Sequence, residues 1–123
     1  MAERIVRVDA PLTRYKVRIG VRRAEKAEGL QLGDRRAIAG RALEIAREGV
    51  RRFPKDKFMY GTECDAARAF VGYGGSIGVY RQSLDTMNAA YPSILDPEMA
   101  EALRRHESEF RRLANPVSDG DTT

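Results

Sequence analysis

The sequence predicts an α+β domain that is mainly helical: an N-terminal β-hairpin followed by a small bundle of about four helices. Three observations carry this expectation. Two stretches near the N-terminus alternate apolar and polar residues with period two. Three later stretches place apolar residues at helical spacing. Proline, glycine and capping residues punctuate the chain between them. The length of 123 residues suits one domain. Residues 1–114 are expected to form it, with 115–123 a flexible polar C-terminal tail.

The first strand is read over Arg4 to Ala10, where Val6, Val8 and Ala10 alternate with Arg7 and Asp9. The second is read over Tyr15 to Val21, with Tyr15, Val17, Ile19 and Val21 on one face. Pro11 stops the first strand, and Pro11 to Arg14 is short enough to close a hairpin. The outer face of that ribbon would carry Arg7, Lys16 and Arg18, with Arg22 and Arg23 beyond its end. Ala24 to Glu28 can form a single helical turn closed by Gly29.

Asp34 is placed to cap a helix running to Phe53, with Ala39, Leu43, Ala46, Val50 and Phe53 on one face. Pro54 ends it, and residues 54–57 read as a loop. Thr62 to Asp65 resembles a capping box for a short helix to about Val71. Three glycines within residues 72–75 break it, and Ser76 caps the next helix. There Ile77, Tyr80, Leu84, Met87 and Tyr91 form a stripe, stopped by Pro92. Asp96, Pro97 and Glu98 start a final helix to Ala114, striped by Met99, Leu103, His106, Phe110 and Leu113.

Charge narrows the function. Residues 1–53 hold fourteen basic and seven acidic side chains, a net +7. Residues 54–123 hold eight basic and eleven acidic, a net −3, and together they give the chain's +4. Eighteen of the 22 cations are arginine, the better bidentate partner for phosphate or carboxylate. No apolar run approaches the ~18 residues that would span a membrane, and no signal-type apolar stretch opens the chain. The expectation is a soluble cytoplasmic protein without a membrane partner. A single cysteine excludes an internal disulfide and any multi-cysteine metal site.

Candidate chemistry is sparse. His106 lies on an apolar stripe, as a packing or interface histidine does. Cys64 reads as a buried structural thiol, because Glu63 and Asp65 beside it oppose a thiolate. The glycine-rich run 72–78 has neither phosphate-loop spacing and reads as a helix–helix turn. A helix-turn-helix there would offer only Arg81 as a cation on its reading helix. No metal-ligand spacing or nucleophile elbow occurs, and no cofactor is expected. No segment carries a motif specific enough to name a family.

The sequence therefore points to a non-enzymatic accessory subunit of a nucleoprotein assembly. It would contact phosphates of RNA or DNA, with weak sequence preference, through the arginine-rich hairpin and first helix. The candidate residues are Arg7, Lys16, Arg18, Arg22, Arg23, Arg35, Arg36 and Arg47. The alternative is an assembly, adaptor or inhibitor-like protein, such as a particle or virion subunit, within a larger complex or as a homo-oligomer. Met99, His106 and Phe110 would then face the protein partner.

Overall fold

Asp9 and Pro11 begin a helix rather than a turn between strands. The Asp9 carboxylate accepts the Leu12 N–H at 3.0 Å, and Pro11 sits in the first turn, where its missing N–H costs nothing. The helix α1, Ala10–Lys26, then runs through the whole segment expected to form the second strand. The computed structural model describes residues 9–92 and 95–115, and among these there are five helices and no strand. The expected hairpin is thus corrected: its second arm is helical, and most of its first arm, with Arg7, lies outside the described residues.

The physical reason is the face that α1 buries. Thr13, Val17 and Ala24 are buried at spacings of four and seven, which align on a helix and not on a strand. Tyr15 and Ile19, assigned by alternation to the same face as Val17, are exposed at 53% and 42%. A lone hairpin would also be marginal in water without a third strand or a covering helix.

The helix α2, Leu32–Arg52, begins two residues before the expected cap. Asp34 lies inside its first turn, where the carboxylate accepts the Gln31 N–H at 3.1 Å. The helix α3, Lys57–Gly72, starts five residues earlier than Thr62. Its cap is Asp56, which accepts the Met59 N–H at 3.2 Å. Thr62 instead donates its hydroxyl to the Phe58 carbonyl at 2.9 Å, within the helix. The helix α4, Ile77–Ala90, is capped by Ser76, and α5, Pro97–Ala114, by Asp96. Between α3 and α4 the chain turns at Gly74, whose φ of +101° suits glycine alone.

The bundle is built around α3, which packs on all four other helices; α1 also packs on α2, and α4 on α5. The core runs from Val17 through Leu43, Ala46, Tyr60 and Cys64 to Tyr80, Leu84, Met87 and Met99. Because α1 and α5 both lie on α3 without packing on each other, a groove remains between them along α3. No helix among the described residues is long and apolar enough to cross a membrane.

Candidate nucleic-acid interface

The exposed surface of α1 carries five cations spread over about 160° of the helix. At 3.6 residues per turn, the exposed arc reads Arg18, Arg22, Tyr15, Lys26, Ile19, Arg23 and Lys16 in order around the helix. Among the described residues, none of these five cations makes a side-chain hydrogen bond or ion pair. Glu25 is the single carboxylate at the edge of this arc. Of the candidate residues, Arg18 and Arg22 lie at the α3 side of this arc, and Arg23 and Lys16 at the other side.

Three others are engaged in the fold. Arg35 donates to the Ala24, Glu25 and Ala27 carbonyls at 2.5, 3.1 and 3.1 Å. It satisfies acceptors that the end of α1 leaves open. Arg36 donates to the Tyr73 carbonyl at 3.4 Å. Arg47 reaches from α2 to the Glu63 carboxylate at 3.2 Å and the Val79 carbonyl at 3.3 Å. Glu63 is only 4% exposed and also accepts the Ser83 hydroxyl at 2.6 Å. Such a buried carboxylate needs both partners.

The groove between α1, α3 and α5 has a volume of about 420 Å³. Arg14 and Arg18 form one rim, Met99, Ala102 and Arg105 the other, and Phe58, Gly61, Thr62 and Asp65 the floor. It continues past Asp65 toward Arg22 and Arg68. Arg14 pairs with Asp56 and lies over the Phe58 ring, 5.7 Å from its centroid. Lys57 pairs with Asp96 and Glu98 at 3.3 and 2.8 Å, and these partners raise its pKa. Arg18, Arg68 and Arg105 have no hydrogen bond or ion pair among the described residues.

No family model, curated protein or solved structure matches the chain.

His106 closes the floor of the groove. The Tyr80 hydroxyl is 2.6 Å from His106 Nδ1, and His106 Nε2 is 3.3 Å from Asp65 Oδ1. Burial pushes the Tyr80 hydroxyl far above its ordinary value, so it keeps its proton, which the His106 carbonyl at 3.4 Å can also accept. Nε2 faces the Asp65 carboxylate on the other side of the ring. Met99 is buried in the core, and Phe110 packs edge-on against Tyr80 with Arg81 over its ring at 4.9 Å. Met99, His106 and Phe110 thus turn toward the bundle.

Cys64 is fully buried in the middle of α3, not in its first turn, and burial holds its thiol well above the ordinary value. Such a thiol is a weak nucleophile. On α4, Arg81 is clamped by Glu107 at 3.0 and 2.6 Å and by Asp85 at 3.1 Å. That removes the one cation a reading helix there would present. No three His, Cys, Asp or Glu side chains among the described residues are placed to hold a metal ion.

Proposed function

We propose that this protein binds nucleic-acid phosphates through the outer face of α1, as a non-enzymatic accessory subunit of a nucleoprotein assembly. The observation that carries the reading is a set of cations without partners among the described residues: Arg18, Arg22, Lys26, Arg23 and Lys16 across the exposed arc of α1. Surface arginines in a folded domain commonly find carboxylates, as Arg51, Arg104 and Arg112 do here. A helix face that leaves five cations unneutralised attracts a polyanion. Contacts of this kind go to the backbone, so sequence preference is weak and affinity falls as salt rises.

The test is fluorescence anisotropy with labelled oligonucleotides between about 50 and 200 mM salt. Wild-type protein binds at low salt and loses affinity steeply as salt rises. The double substitution Arg22→Glu with Arg23→Glu abolishes binding without changing the helical circular dichroism, because neither side chain holds the fold together. Absence of binding at low salt, or binding that ignores salt, refutes the proposal.

A further inference from the structure

We infer that the groove between α1, α3 and α5 takes the bases of a single-stranded nucleic acid, while Arg18, Arg22 and Arg105 on its rims hold the phosphates. This rests on the phosphate-binding reading above and names its substrate class. Four features of the groove argue for it. Phe58 is 55% exposed at the floor, and Arg14, fixed by Asp56, lies over its ring. One turn along α3, a Cβ on Gly61 would meet nothing within 4 Å, so the floor beside the ring has room for a planar group. The rims carry guanidinium groups without partners, two on α1 and one on α5. The floor carries Asp65, an exposed carboxylate beside His106.

Those charges set the orientation of the strand. A phosphate over Asp65 would be repelled, whereas base N–H groups can donate to it. The backbone therefore tracks the cationic rims and the bases turn inward, onto Phe58. A duplex keeps its bases stacked inside and offers this floor only more phosphate. Tyr15, 53% exposed, stands on the other side of the Arg18 and Arg22 row and gives a second ring for a base leaving the groove. A cationic groove with exposed aromatic rings is the common arrangement for single-strand binding without sequence preference.

The experiment compares a labelled oligothymidylate of about 12 nucleotides with a duplex of the same length at low salt, on wild-type, Phe58→Ala and Gly61→Leu proteins. Phe58→Ala removes the stacking ring, and Gly61→Leu fills the floor from a position with free space. The expected result is tighter binding of the single strand. Each variant should weaken single-strand binding by about tenfold and leave duplex binding unchanged. Thermal melts confirm that both variants fold. A duplex bound as tightly as the single strand overturns the groove assignment and leaves the phosphate reading standing. So does single-strand affinity that survives both substitutions. Failure to bind either probe in a salt-sensitive manner overturns both.

Discussion

Tyr80 shows how a polar group can be made to fit a helical core. It is fully buried, and its hydroxyl meets His106 Nδ1 at 2.6 Å. The ring itself packs edge-on against both His106 and Phe110. Tyr80→Phe keeps that packing and removes only the hydroxyl. His106 Nδ1 is then left in the core without its hydrogen-bond partner. Loss of one buried partner costs about 1–2 kcal/mol, and a drop of that size in urea unfolding at pH 7 is expected. No change would mean that the imidazole turns and finds another partner. That His106 falls on a buried stripe was legible in the sequence, because it follows Met99 and Leu103 at helical spacing. Its partners were not legible. Tyr80 lies 26 residues away and Asp65 on another helix, so only the packing of α3, α4 and α5 brings them together.

At the scale of elements, two glycines in helices make opposite predictions. A Cβ on Gly49 of α2 would lie 2.7 Å from Met59 Sδ and 3.0 Å from Thr13 Cγ2, where three helices meet. A Cβ on Gly61 of α3 would meet nothing. Alanine favours a helix interior over glycine by about 1 kcal/mol. Overpacking a filled site costs about 1–3 kcal/mol. Gly61→Ala should therefore stabilise the protein by up to about 1 kcal/mol, and Gly49→Ala should destabilise it by about 1–2 kcal/mol net. Chemical denaturation of the two variants decides this, and equal effects would show that the tertiary contact at Gly49 relaxes. The same competition explains which elements could be read in advance. The helices α2, α4 and α5 carry apolar stripes of one period, and their caps or stops, Ser76, Asp96 and Pro54, act as expected. In α1 the β-branched Val17, Ile19 and Val21 supply a strand-like alternation over a helical one. The deciding signal was Asp9 with Pro11, the same cap-and-proline start that marks α5 at Asp96 and Pro97. In α3, Asp56 was the missed cap, and Thr62 supplied a false one.

Across the whole molecule, the charge imbalance has a structural counterpart. In the described C-terminal part, many carboxylates hold cations: Glu107 with Arg81, Asp96 and Glu98 with Lys57, Glu109 with Arg112. On α1, Arg14 pairs with Asp56, and the other five cations have no ion pair among the described residues. The uneven net charge was legible from composition, but which arginines were already engaged was not, since Arg35, Arg36 and Arg47 meet partners distant in the chain. The paired carboxylates make stability sensitive to acid. The Arg81 hydrogen bonds hold the Glu107 carboxyl below its ordinary 4.5. The Met99 N–H does the same for Asp96, which is ordinarily at 3.8, and Arg112 for Glu109. Each group has a folded pKa below its unfolded one, so its contribution is present above the unfolded value and lost as pH falls through the folded value. Unfolding free energy should be level from neutral pH to about pH 5 and should fall below about pH 4. Glu107→Gln isolates one of these groups. Glu107 is partly exposed, so solvent screening keeps its pair with Arg81 to less than about 1 kcal/mol. The variant should be less stable than wild type at neutral pH by that amount. The gap should close as acid protonates Glu107 in the wild type, because both proteins then carry a neutral side chain there. A gap that stays constant down to low pH would show that Glu107 acts through packing against Arg81 rather than through its charge.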